Sequence, residues 1–257
     1  MLGTMALALG AATGSFLNVV IHRLPLQQSV VAPRSHCTRC GRTIPWYDNI
    51  PVLSWILLRG RCRACKEPFS VRYPIVEALT AVLLLALWLQ LGWSLGLAFA
   101  FYFACSLLVV TYIDLDHRII PDRVTLPGIA VGLLLALVAP AEVRWDAVQS
   151  WALGTLAGGG ILWLVAWGYE TATGREGMGG GDIKLLAMIG AFLGWQGVLV
   201  TLLLASLIGS LIGTAWMIAR GGDRRLAIPF GPFLALGALV TLFWGEQIVT
   251  WYMNALT

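Results

Sequence analysis

Charge is what this chain has least of. Only 12% of its 257 residues are Asp, Glu, Lys or Arg, where soluble domains carry about 25%. Thirteen residues are acidic and three are histidine, so each ionisable group has to be accounted for by place. Long polar tracts are missing, and with them the composition of a disordered tail. No basic segment precedes the first apolar run, which therefore reads as a retained membrane span and not as a cleaved signal. There is no internal repeat, and no G-x-x-x-x-G-K phosphate loop. Nothing points to a nucleic-acid partner, and oligomeric state is left unassigned. These absences leave a chain that is 58% hydrophobic with a mean hydropathy of +0.80. A soluble globule of this size has too much surface for its volume to hide that much apolar area.

What the sequence does contain is a series of apolar runs, each to be judged against the roughly 20 residues that cross about 30 Å of hydrocarbon. Eight stand out, at roughly 2–21, 75–91, 95–113, 124–140, 147–168, 184–195, 198–219 and 229–252. The sixth is short and interrupted by glycine. The expected fold is an all-α polytopic membrane protein of about eight transmembrane helices, surrounded by lipid. A small polar insert stands between helices one and two. The domain reading is residues 1–22 as the first span, 23–73 as the insert and 74–257 as the membrane core. Glycine pairs four apart (Gly10 and Gly14, Gly154 and Gly158, Gly209 and Gly213) read as sites of close helix packing.

Lys and Arg placement sets orientation. Sixteen of the seventeen basic residues fall in the insert and in the 114–123, 169–184 and 220–225 loops, the last holding Arg220, Arg224 and Arg225. Only Arg144 falls opposite. Eight passes put all four basic loops on one side, expected to be cytoplasmic, and both termini outside.

The insert holds two C-x-x-C pairs, Cys37 with Cys40 and Cys62 with Cys65. Two residues between thiols let both sulfurs turn to one cation, and two such knuckles complete a tetrahedral four-thiolate site of the kind zinc prefers. About fifty residues make a weak core alone, so a metal staple has a physical purpose. Disulfides or free thiols are the alternative, and a reducing compartment disfavours the former. All four positions would be filled by Cys, which favours a structural zinc over a catalytic one. His36 reads as a bystander and Cys105 as a buried apolar residue.

Five of the acidic residues cluster in two short loops beside span ends. One runs Ile113-Asp114-Leu115-Asp116-His117-Arg118-Ile119-Ile120-Pro121-Asp122. The other runs Glu176-Gly177-Met178-Gly179-Gly180-Gly181-Asp182-Ile183-Lys184. Carboxylates at membrane depth are costly and mark function. A pair of them suits peptide hydrolysis, in which one ionised group takes a proton from water and one protonated group polarises the carbonyl. Gly179, Gly180 and Gly181, expected to be free of helix, leave backbone open to a substrate strand. Asp182 also fits as the N-cap of the following helix, Asp122 as a cap before span four, and Asp116 with Arg118 as a solvated turn. A polytopic transporter and a zinc-ribbon membrane scaffold are the rival readings. The first expects repeated halves, which are missing. The second leaves the glycine-aspartate loop without a purpose.

Over nearly its whole length the chain resembles the bacterial prepilin peptidases, or type IV leader peptidases, which are GxGD-type intramembrane aspartic proteases. The resemblance is carried by Gly14-Ser15-Phe16-Leu17-Asn18 through Pro25, the two C-x-x-C pairs, Asn49–Trp55, Arg72–Glu77, the Ile113–Asp122 loop and Gly177–Lys184. It implies Asp114 and Asp182 as the catalytic pair, with Gly179, Gly180, Gly181 and Lys184 in the substrate loop. It implies a bacterial inner-membrane enzyme that cuts the basic leader from type IV prepilins and type II secretion pseudopilins after a Gly, on the cytoplasmic side. The four-cysteine insert is typical of members that also methylate the new N-terminus with S-adenosylmethionine, so Zn and S-adenosylmethionine are the expected cofactors. Asn18 and Glu77 are candidate donor-binding residues, and either serves equally well as a polar contact in the bundle.

Overall fold

The computed structural model describes residues 1–175, 177–219 and 229–256. Glu176, Arg220, Arg224 and Arg225 lie outside the described residues. Among the described residues there is no strand. Two isolated antiparallel bridges, His36 with Thr43 and Arg61 with Pro68, are the nearest approach to one. The chain forms two compact units, Met1–Cys105 and Ser106–Thr257.

In the first unit, α1 (Leu2–Arg23) and α3 (Arg72–Leu91) run antiparallel. Glycine makes the approach possible: a Cβ on Gly10 would fall 2.6 Å from Ala81 Cα, and one on Gly14 would fall 2.6 Å from Glu77 Cα. Ala6, Leu17, Ile21, Val76, Leu84 and Leu87 fill the seam. Between them lies the insert, with one short helix, α2 (Leu53–Leu57). The start of α4 (Leu95–His117) closes this unit and its remainder opens the second.

The second unit continues with α5 (Asp122–Leu137), α6 (Ala141–Thr173), α7 (Gly180–Ala219) and α8 (Gly231–Leu256). Gly174 ends α6 in the left-handed conformation, φ 66° and ψ 17°, the usual glycine stop. α7 would be about 60 Å long if straight, twice the depth of the hydrocarbon. It is not straight. Gly194 leaves helical geometry at φ 68°, ψ 178°, and the chain folds back there. The registers show the reversal. The first arm runs antiparallel to α6, with Gly154 against Gly190 and Gly158 against Leu186, and parallel to α5, with Gly132 against Ala191. The second arm runs antiparallel to α8, with Gly209 beside Phe233 and the Thr201 hydroxyl donating to Thr241 at 3.2 Å.

Among the described residues, six helices are long and apolar enough to cross a membrane, against eight expected, and the difference has two causes. Expected spans six and seven are the two arms of α7, joined through Gly194. Expected span four is α5, a shorter helix of 16 residues. The outer faces fit lipid. On α6, Leu153, Leu156, Trp163, Leu164, Val165 and Trp167 are all exposed, a continuous apolar surface that a water-soluble monomer does not show.

Candidate active site and metal centre

Asp114 sits in the last turn of α4 and is buried, 5% exposed. Its helix stops three residues later, where Arg118 takes the left-handed region at φ 57° and donates its N–H to the Asp114 carbonyl at 2.9 Å. The carboxylate is oriented by backbone. The N–H of Gly231, first residue of α8, donates to Asp114 Oδ2 at 3.1 Å. Glycine allows this approach, because a Cβ there would lie 2.6 Å from that same oxygen and would force the carboxylate to move.

Asp182 sits in the first turn of α7 and is half-buried. The expectation of a helix-free glycine run is corrected here: α7 begins at Gly180, four residues before the predicted start. Gly180 and Gly181 are helical, and Asp182 is the third residue of the helix, not its N-cap. The first-turn N–H groups have no helical partner in any case, so the run keeps donors to offer. Gly181 is pressed against the α4–α5 connection, with an added Cβ 2.8 Å from Ile120 Cβ. The Ile120 side chain also reaches toward Gly231, 3.2 Å from where its Cβ would be. Ile120 thus lies between the glycine that precedes Asp182 and the glycine that holds Asp114. The two carboxylates are close enough to interact electrostatically.

Asp116 is exposed on the last turn of α4. Asp122 is the first residue of α5 and makes no capping hydrogen bond, which corrects its reading as a cap. It pairs instead with Lys184, whose Nζ donates to both carboxylate oxygens at 2.8 and 2.7 Å. Gly179 and Gly180 have open space around them, the nearest atom to an added Cβ on Gly179 being Asp182 Oδ2 at 4.0 Å. Sequence reading missed Gly231, which contributes a main-chain N–H from 117 residues away. No local signal marks such a partner.

In the first unit, Cys37, Cys40, Cys62 and Cys65 converge, all four Sγ atoms lying within 4.8 Å of one another. Two matching knuckles bring them there. Cys37 N–H donates to Arg42 O and Gly41 N–H to Cys37 O; Cys62 N–H donates to Glu67 O and Lys66 N–H to Cys62 O. Gly41 and Lys66, at equivalent places, both have positive φ, 69° and 61°. Tetrahedral zinc with bonds of about 2.3 Å spaces its sulfurs about 3.8 Å apart, and Cys37 and Cys65 stand at 3.7 Å. The cluster is suited to a metal ion. Backbone N–H groups of Cys65 and Ala64 draw the Cys62 thiol down to about 7, toward the thiolate that binds metal. His36 stands apart from the cluster and its Nδ1 meets Arg34 O at 3.1 Å. The knuckles are braced by Arg63 on Asp48, whose carboxyl that guanidinium holds below its usual range.

Asn18 and Glu77 are both buried. Asn18 Nδ2 donates to Tyr73 O at 3.1 Å, and Glu77 Oε2 accepts the N–H of Val52 at 2.7 Å. The two side chains line one cavity, formed by α1, α3 and the insert.

Long apolar helices, with two carboxylates drawn together at helix ends in the second unit and four thiols gathered in the insert of the first, define a polytopic membrane protein with a paired-carboxylate site. Comparison with known proteins makes this specific. The model of the bacterial peptidase A24 N-terminal domain matches residues 8–91, and that of the type IV leader peptidase family matches residues 101–214. Among curated relatives, a prepilin leader peptidase/N-methyltransferase of Aeromonas hydrophila is 41% identical over 94% of this chain and 90% of its own length. Proteins of the same name from Pseudomonas putida and Pseudomonas aeruginosa are 38% and 37% identical over 98% and 96% of this chain, and over 94% and 91% of their own. The chain belongs to the type IV leader peptidase family. The transporter and scaffold readings are not supported. No solved structure matches this chain.

Proposed function

We propose that this chain cuts the basic leader from type IV prepilins and type II secretion pseudopilins after a Gly, and then methylates the new N-terminus. The single observation that carries the cleavage reading is the pairing of Asp114 with Asp182, on elements far apart in sequence and joined through Ile120. The relatives' printed names carry both activities.

Asp114 and Asp182 act together on one water and one peptide bond. The ionised carboxylate takes a proton from water, and the hydroxide so formed adds to the carbonyl carbon. The protonated carboxylic acid gives its proton toward the carbonyl oxygen, and a proton then passes to the leaving nitrogen as the C–N bond breaks. Two carboxylates sharing a small volume do not both ionise readily, which supplies the one-proton state this needs. The N–H of Gly231 donates to Asp114 Oδ2 and helps hold that carboxylate in place. The open space at Gly179 and Gly180 suits an extended substrate strand, and Lys184 with Asp122 steadies the loop.

Zinc is the ion that Cys37, Cys40, Cys62 and Cys65 would hold, in a structural role with no open position. S-adenosylmethionine supplies an electrophilic methyl group on a positive sulfur. The buried Asn18 and Glu77 are its candidate contacts. Residues 1–22 serve as the first span, 23–73 as the zinc-stapled insert and 74–257 as the peptidase core. The bacterial inner membrane is the location, with the insert and both Asp loops cytoplasmic and both termini outside, an orientation supported by the basic loops.

Incubating the purified chain with a prepilin, with and without S-adenosylmethionine, tests the proposal by product mass. Loss of the leader in both arms, with one added methyl only when the donor is present, is expected. An intact prepilin in both arms overturns the reading.

A further inference from the structure

A second cavity, of about 380 Å³, adjoins the one that Asn18 and Glu77 line, and both lie in the unit Met1–Cys105. Its volume is within the range of ligand pockets. One wall is α1, where Ala12, Phe16 and Val19 fall on one helix face by their spacing. The other wall is the insert, with Val31 and Trp46. Phe16, Val31 and Trp46 are 51%, 85% and 74% exposed, large apolar groups left uncovered at the end of a helix that reads as a membrane span. Ser15 lies on the same stripe of α1 and stands beside Glu77. Ser15, Val19 and Asn49 line both cavities, so the apolar cleft leads directly into the polar one. Arg34 borders the cleft. No residue of the Asp114–Asp182 site takes part in it.

We infer that this cleft is the methyl-acceptor site, taking the apolar first residue and new α-amine of a single-helix substrate whose leader has gone. The inference rests on the proposed methyl transfer and on Asn18 and Glu77 as the donor's contacts. Three observations choose this occupant. The cleft runs along the last turns of α1, which ends at Arg23, so a substrate helix lying beside that span brings its N-terminus there. The cleft walls are apolar where the neighbouring cavity holds the buried Glu77 carboxylate. An apolar side chain is therefore held at the threshold while its amine alone passes Ser15. The cation at Arg34 favours the uncharged form of a nearby amine, the form whose nitrogen lone pair can accept a methyl group.

The test uses the purified full chain in detergent and a leaderless single-helix peptide whose first residue is the photoreactive p-benzoylphenylalanine. Irradiation is expected to label peptides from residues 12–19 and 30–46 well above a second probe that carries the same group at mid-helix. Ala12→Trp fills the cleft from a position that does not line the Glu77 cavity. It is expected to raise KM for the leaderless peptide as methyl acceptor on the order of tenfold or more, as added bulk in an apolar pocket does. Affinity for S-adenosylmethionine, read by calorimetry, is expected to stay the same. Metal content equal to that of the unmodified chain shows that the insert is still folded. Equal labelling by the two probes marks a groove for lipid and overturns the site, as does label confined to α5–α8. Loss of donor affinity along with acceptor affinity overturns the cleft as a separate site. An unmodified chain that never methylates defeats the methyl-transfer reading itself. One that methylates while Ala12→Trp keeps its KM defeats only the assignment of this cleft.

Discussion

Lys184, the fifth residue of α7, closes a two-pronged ion pair on Asp122, the first residue of α5, at 2.8 and 2.7 Å. The pair ties together the two segments that follow Asp114 and contain Asp182. Both partners are partly exposed, at 41% and 52%, so its share of stability is small, about 0.2–1 kcal/mol before further screening by solvent. Its value lies in position.

Lys184→Met is therefore expected to lower the rate of leader cleavage on the order of tenfold with little change in thermal midpoint. Steady-state kinetics and a melting curve on one preparation check this. Exchanging the charges, with Lys184→Asp and Asp122→Lys together, is expected to recover part of the loss. Equal damage to rate and melting would mean the pair is a structural strut.

Gly181→Ala sets a methyl group 2.8 Å from Ile120 Cβ. Neither atom is at the end of a flexible chain, so the first turn of α7 must move, and Asp182 with it. Leader cleavage is expected to fall at least tenfold, measured with a fluorogenic leader peptide. Wild-type rates would show that Ile120 and Gly181 separate at no cost.

The α6–α7 seam gives a stability test. A Cβ on Gly154 or Gly158 would run into the carbonyl of Gly190 or of Leu186. Gly154→Ala is expected to cost about 1–3 kcal/mol, as overpacking does. Gly160→Ala meets nothing within 4 Å and is expected to be neutral or slightly stabilising. Thermal midpoints in detergent compare the two.

Metal analysis tests the cysteine cluster. One zinc per chain is expected, and Cys62→Ser is expected to lose most of it, because three ligands remain of four. Emission of Trp55, whose ring packs against Gly60 inside the insert, is expected to shift when a chelator strips the metal. A chain purified without metal, with emission indifferent to chelator, would remove the staple.

What the sequence made legible was local. C-x-x-C spacing foretold a four-sulfur cluster because both knuckles are built from neighbours. Asp114 and Asp182 stood out because each interrupts apolar sequence at a helix end. Partners distant along the chain left no such mark. Nothing near Asp114 announces that Gly231 will donate to it, and nothing near Lys184 selects Asp122 over Asp116. Helix limits at the glycine run were misplaced because glycine is a poor helix former, and tertiary contact at Ile120 overrides that preference. Gly194 was read as interrupting a short span. Its reversal depends on how both arms pack against α6 and α8, which periodicity does not report.

Leader cleavage by Asp114→Asn and by Asp182→Asn, each inserted in membranes at wild-type abundance and scored by the mass of the product pilin, tests the central claim most directly. The paired-carboxylate account predicts uncut prepilin with both variants, because Asn neither takes nor gives the proton and keeps nearly the same shape. Normal leader removal by either one would contradict it.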